Sequence, residues 1–137
     1  MATYNKFNSF VDYVSDGVIN IGTNTLVVAL TNTAPVATNT VLADITEIAY
    51  TNLSARTLTV ASHAQTSGTL KVVVNDLVLT ATGAVGPFRY VVVYDDTPTV
   101  PADPLICWFD YGSAVTMANG ETFTVDFDNT NGLFQLG

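Results

Sequence analysis

The residues best suited to chemistry are the carboxylates between residues 86 and 112, in the stretch GPFRYVVVYDDTPTVPADPLICWFDYG. Asp95, Asp96 and Asp103 lie in or beside a proline-rich loop between two apolar runs, and Asp110 follows. Paired carboxylates hydrolyse glycosides when they face each other across a cleft and their pKa values are separated. Adjacent side chains at a strand end point to opposite faces instead. The spacing therefore predicts acids that end strands and solvate a turn, and no catalytic residue among them.

The other candidates for catalysis or metal binding are the only histidine, the only cysteine and one acidic loop. Cys107 lies inside the apolar run LICWF, where burial raises the pKa of a thiol and makes it inert. A pair of Cys107 with His63 stays open as an alternative, but one Cys and one His cannot form a structural zinc site. The loop DFDNTNG at 126–132 lacks the glycine and glutamate positions of an EF-hand, which leaves at most a weak cation site. We predict a non-enzymatic protein with no metal and no cofactor.

Composition limits the kinds of partner this chain can bind. Twelve acidic and four basic residues give 137 residues a net charge of −8, and the cations are not clustered. Phosphate backbones and anionic lipid surfaces both favour basic patches, so we expect no nucleic acid and no membrane partner. The apolar runs are too short to cross a bilayer, no signal peptide is visible, and the single cysteine fits folding in a reducing cytoplasm.

Only the N-terminal segment has the spacing of a helix. In TYNKFNSFVDYVSDG, four apolar residues recur at i, i+3, i+4 and i+7, which predicts a helix over about 4–16. A helix of this length is marginal alone in water, so its apolar stripe must pack on something. The stripe docks either on the domain's own sheet or on a neighbouring subunit. Its residues are Phe7, Phe10, Val11 and Val14.

The remainder of the chain has the pattern of short strands. Runs rich in Val, Thr, Leu and aromatic residues are bounded by Gly, Pro, Asn or Asp, and they follow one another without helices between them. This pattern predicts one domain over 1–137, β-rich from 24 to 137, built as an antiparallel β-sandwich or barrel with one N-terminal α-helix. The aromatic side chains are expected in the core or in cross-strand pairs, with a carbohydrate-stacking platform as the alternative. They are Tyr90, Tyr94, Trp108, Phe109 and Tyr111.

The whole chain resembles a family of small structural proteins of tailed bacteriophages, and three stretches carry the resemblance. They are the N-terminal TYNKFNSF through ADITEIA, the central GPFRYVVVYDDT, and DPLICWFDYGSAVTMANGETFTVDF. The resemblance implies a virion protein that is assembled in the host cytoplasm. Within that class it implies a capsid decoration or cement protein on the capsid surface. Relatives have a glycine-rich insertion after ITEIA, where this chain has only YTNLSARTL, so any contact made by that loop is in doubt.

A decoration protein implies as partners the major capsid protein and copies of itself, in a homo-oligomeric arrangement on the particle. The helix stripe and the segment 34–48, expected to be extended with one helical turn, are the predicted contact surfaces. A tail or receptor-binding module is the alternative function, and a hydrolase using the four acids is the third hypothesis. The predicted subunit contacts are Phe7, Phe10, Val11, Val14, Pro35, Val36 and Leu42.

Overall fold

The fold is mainly antiparallel β, as predicted. The computed structural model describes residues 2–137, and in this part of the chain nine strands accompany one short α-helix. The helix α1 spans Phe10–Ser15, and a single 3-10 turn spans Leu42–Asp44. The strands are β1 Thr3–Lys6, β2 Leu26–Thr31, β3 Val60–Thr66, β4 Thr69–Val74, β5 Leu77–Thr80, β6 Val85–Asp95, β7 Leu105–Met117, β8 Thr122–Val125 and β9 Phe134–Leu136.

The strands form three sheets in a sandwich-like arrangement. The largest has the order β1-β7-β6-β2, the second β3-β4-β9, and the third pairs β5 with β8. Every ladder is antiparallel. No helix in residues 2–137 has the length and apolar character needed to cross a bilayer.

The centre of the large sheet, formed by β2 and residues 91–95 of β6, is buried on both faces, which explains the uninterrupted apolar runs LVVAL and YVVVY. Alternate β2 residues point to opposite sides. Val28 and Leu30 join the main core, whereas Val27 and Ala29 join a second apolar cluster. That second cluster is covered by partly buried side chains of the segment 34–48. A strand with two buried faces needs no polar alternation, so these runs are continuous.

The predicted helix over 4–16 is too long. Residues Thr3–Lys6 form β1, which pairs with β7 at the edge of the large sheet, and only Phe10–Ser15 are helical. Phe7 and Phe10 therefore share no helix face: Phe7 belongs to the second cluster and Phe10 to the main core. Pairing of residues 3–6 with β7 and burial of Phe7 in the second cluster outweigh the local helical spacing.

The chain between β2 and β3 covers the outer edge of β2. Backbone N–H groups of Ile48 and Leu58 donate to Leu30 and Leu26, at 3.0 and 2.9 Å, and the Arg56 side chain donates to the carbonyl of Val28. An uncovered edge strand is a template for pairing with another chain. The large sheet is therefore closed on the β2 side.

Candidate functional site

Asp95 is a buried acid at the end of β6. Its side chain is fully buried, and it accepts hydrogen bonds from the Asn24 amide at 2.6 Å and the Thr97 backbone N–H at 3.1 Å. Burial raises its pKa above the usual range, and the two hydrogen bonds only partly offset that increase. The carboxylate thus links the start of the loop 96–104 to the chain before β2. Asp95 therefore has a structural role.

The raised pKa of Asp95 predicts a pH dependence of stability. The native state holds this proton more tightly than the unfolded chain, so the contribution of Asp95 is most favourable below the unfolded pKa of about 3.9 and falls as pH rises through the folded pKa. The difference in unfolding free energy between wild type and Asp95→Asn should therefore fall as pH rises above about 4, and then level off. Urea unfolding across pH 3–8 measures it. A difference that grows with pH would show that the hydrogen bonds outweigh burial.

Asp96 and Asp103 approach each other across the loop 96–104, which the sequence did not predict. Asp103 is half-buried, and burial raises its pKa, with a further increase from the neighbouring Asp96 carboxylate. Asp103 has a φ of 52°, and this left-handed backbone turns the loop back. Asp96 is exposed. Neither Asp96 nor Asp103 lines either of the two surface grooves described below. The pair thus lies on a solvated loop.

Asp110 is paired with a cation on the neighbouring strand. The Arg89 guanidinium donates to both carboxylate oxygens, at 2.8 and 3.1 Å, and the Gly112 backbone N–H donates at 2.8 Å. These contacts hold the pKa of Asp110 below its usual range, with the Arg89 hydrogen bonds the largest cause. A bidentate Arg–carboxylate pair fixes orientation. Asp110 is therefore committed to Arg89 and is not placed opposite Asp95 in a catalytic pair.

Cys107 and His63 lie in different sheets. Cys107 is in β7, fully buried, and burial raises the pKa of its thiol, with the Tyr4 side chain within hydrogen-bonding reach. His63 is exposed on β3. A nucleophilic thiolate needs a depressed pKa and a base beside it. This arrangement supplies neither at Cys107.

The loop 126–132 is organised by its own backbone. One Asp128 oxygen accepts from the backbone N–H groups of Thr130 and Asn131, at 2.7 and 2.9 Å, and the other accepts from the Asn131 amide at 2.8 Å. These bonds lower the pKa of Asp128. Within residues 2–137 no three His, Cys, Asp or Glu side chains come together as a metal site. The apparent calcium motif is a capped turn.

The predicted contact residues divide into buried and exposed groups. Phe7, Phe10 and Pro35 are buried within the chain, and Val14 and Leu42 are partly buried against its core clusters. Val11 and Val36 keep 45% and 54% of their surface exposed. The three buried residues cannot reach another subunit in this conformation, the two partly buried residues keep some accessible surface, and Val11 and Val36 are the most exposed of the seven. Residues 42–44 form the one helical turn expected in the segment 34–48.

The aromatic residues form edge-to-face contacts beside a groove. Phe109 lies 5.5 Å from Tyr4 and 5.8 Å from Phe127, between ring centroids. These three rings line an open groove of about 370 Å³, together with the side chains of Asp128, Asn131 and Gln135. Tyr94 and Trp108 are buried in the second cluster, Tyr90 packs against it, and Tyr111 packs on Phe123 at 5.1 Å. Most of these side chains therefore serve packing.

A second groove lies between α1 and the sheet β3-β4-β9. It has a volume of about 230 Å³ and is lined mainly by apolar side chains, including Val14, Ile21 and Leu136, with His63 among them. A volume of this size falls below the usual range for small-molecule sites. The groove is a packing gap beside the hairpin of β3 and β4.

Comparisons with known proteins found no match: no family model, curated protein or solved structure is similar to the chain. The resemblance to phage structural proteins therefore rests on the three sequence stretches given above.

The carboxylates are unevenly distributed along the chain, a pattern that the sequence analysis did not use. Residues 48–75 contain none of the twelve carboxylates and two of the four cationic side chains, Arg56 and Lys71. The rest of the chain accordingly carries a net charge of −10. The acid-free segment includes the hairpin of β3 and β4, whose tight turn places Ser67 and Gly68 at φ values of 52° and 85°. A count of charge by segment reveals it without a structure.

Proposed function

We propose that this chain is a non-enzymatic virion structural protein of a tailed bacteriophage, and that it decorates the capsid. The three sequence stretches that resemble phage structural proteins carry the proposal. The use of the acids supports it: Asp95, Asp110 and Asp128 are each engaged in hydrogen bonds that hold turns or strands. The chain binds the major capsid protein and copies of itself at the capsid surface.

A decoration protein attaches through small patches that recur over a shell, so each contact can be weak while symmetry multiplies the binding. Val11 on α1 and Val36 in the segment 34–48 are exposed apolar residues of that kind. Each of these side chains is about half exposed, so burying the exposed part adds on the order of 1 kcal/mol at a contact. These two side chains are our proposed anchors on the shell.

Quantitative mass spectrometry on purified virions, with heads and tails separated, tests the proposal. A copy number close to that of the major capsid protein, in the head fraction, is the expected result. A few copies in the tail fraction would reject decoration and favour a tail or receptor-binding module. Absence from both fractions would reject a virion role altogether.

Binding of purified variants to heads that lack the protein tests the anchors. Val11→Asp and Val36→Asp should each weaken binding to heads by on the order of tenfold, the equivalent of about 1.4 kcal/mol. Val78→Asp is the matched control, because Val78 is equally exposed at 54% but lies on β5, outside the predicted contacts. Equal losses for all three variants would show that added negative charge, and not the anchors, governs binding.

The groove beside Tyr4 favours the second candidate function, a tail module that binds host glycans. Aromatic rings and amide side chains around one groove are a combination that suits sugar binding. Binding of the purified chain to host cell-wall polysaccharide, abolished by Tyr4→Ala, would support this candidate. No binding at millimolar sugar would remove it.

A further inference from the structure

Strand β3 has an uncovered outer edge. It pairs on one side with β4, and among residues 2–137 no backbone hydrogen bond reaches it on the other side. Residues 61–66 are exposed at every position, and the His63 side chain lines the groove beside α1, near Gly22. The outer edge therefore presents a row of free N–H and C=O groups to solvent.

The other sheet edges carry protective features that β3 lacks. The edge of β2 is covered by residues 47–58, and β1, β5, β8 and β9 are only three or four residues long. Where β7 extends past β1, Gly112 takes a φ of 97° and the pairing with β6 is irregular, which bends that edge away. Strand β3 is seven residues long, contains no charge and no proline, and is irregular only at its start. Natural edge strands of this length are usually blocked.

We propose that β3 pairs with β3 of a second copy of this chain, antiparallel across a two-fold axis. Pairing would join two three-stranded sheets into one of six strands and satisfy the free backbone groups on both edges. This inference rests on that part of the proposed function in which copies of the chain contact one another.

Charge argues that the occupant is another copy. Two chains of net charge −8 repel wherever their acidic surfaces meet, and β3 lies in the segment 48–75 that has no carboxylate. Small side chains at Ala61, Ser62 and Ala64 also leave room for the side chains opposite them on each face of the joined sheet. The interface between two such strands is small, so the isolated pair is weak and gains strength on a shell that holds many copies.

The two-fold axis sets a geometric condition that can be tested. In an antiparallel pair, opposite residues lie on the same face of the sheet, and symmetry then requires one residue to lie opposite its own copy. For a strand that is paired over most of its length, this residue is Ser62, His63 or Ala64. Opposite Cα atoms are about 4.5–5.5 Å apart, within the range that a disulfide spans.

Variants with one added cysteine at each of these three positions, under mild oxidation, provide the experiment. Native Cys107 is fully buried and contributes little background. One of Ser62→Cys, His63→Cys or Ala64→Cys should form disulfide dimers on the order of tenfold faster than Thr51→Cys, an exposed control in the same acid-free segment. Equal rates at all four positions would overturn the proposal, as would fast crosslinking at Thr51 alone.

Sedimentation of non-crosslinked protein at several hundred micromolar provides an independent readout. Ala64→Lys should shift the wild-type monomer–dimer equilibrium towards monomer, whereas Thr99→Lys, which changes net charge equally, should leave it unchanged. A wild type that is monomeric, crosslinks no faster than the control and yet saturates heads would reject the β3 pairing and leave the decoration role intact. Crosslinking through β3 by a protein that is absent from virions would reject the role and keep the pairing.

Discussion

Phe10→Ala is expected to lower the free energy of unfolding by about 3–5 kcal/mol. Phe10 is only 1% exposed, and its ring meets that of Phe134 edge-to-face, with centroids 4.8 Å apart. Truncation removes the contact between α1 and β9 and leaves a cavity in the main core. A six-residue helix has little stability of its own, so the hydrogen bonds within α1 do not offset the lost packing energy of Phe10. Urea unfolding followed by circular dichroism measures the effect.

The adjacent Val11→Ala is the matched control for Phe10→Ala. Val11 lies on the same helix but is 45% exposed, so its truncation should change stability by less than about 0.5 kcal/mol. If both variants lose the same stability, α1 does not dock through Phe10. If Phe10→Ala is neutral, this helix face is free, and the prediction of a subunit contact through Phe10 regains support.

Gly132→Ala is expected to cost about 3 kcal/mol, from backbone strain and steric overlap together. Gly132 has a φ of 80°, which an L-residue adopts only with strain. A Cβ at this position would also lie against the Val72 carbonyl oxygen, closer than real side chains approach. That carbonyl accepts the Leu133 N–H at 2.7 Å, where the chain turns into β9. Thermal or urea unfolding measures the loss.

Gly120→Ala separates the two contributions. Gly120 also follows an asparagine and has a φ of 87°, but a Cβ there would meet no atom within 4 Å. It should cost only the backbone strain, about 1–2 kcal/mol. Equal losses at the two glycines would mean that the close approach at Val72 contributes nothing. A larger loss at Gly120 would contradict the geometry of the turn before β9.

The sequence was sufficient for the strands but not for the N-terminal segment. Val- and Thr-rich runs bounded by turn residues became β2, β6 and β7 because both their propensity and their burial favour extended chain. In the segment 4–16, helical spacing and strand pairing compete. Only the presence of β7 beside residues 3–6 decides between them, and that is a long-range contact. Phe7 was therefore assigned to the wrong element.

The site was harder to predict than the fold, because it depends on loop conformation and on what is left uncovered. Asp96 and Asp103 come together only because Asp103 adopts a left-handed backbone, which its residue type permits but does not require. The edge of β3 is free because no other strand lies beside it, and the residue types within β3 do not indicate whether a neighbour is present. The distribution of carboxylates, in contrast, was readable from the chain from the start.

The burial of Cys107 gives the molecule an internal reporter of its own fluctuations. Lys6 of β1 is the register partner of Cys107, and the Tyr4 side chain lies beside the thiol. A thiol reagent can reach the sulfur only when the N-terminal strand detaches or the sheet opens. The labelling rate therefore measures the free energy of that local opening, separately from global unfolding. Opening of the pairing between β1 and β7 can thus be followed in real time, in the free protein and in any assembly that the protein joins.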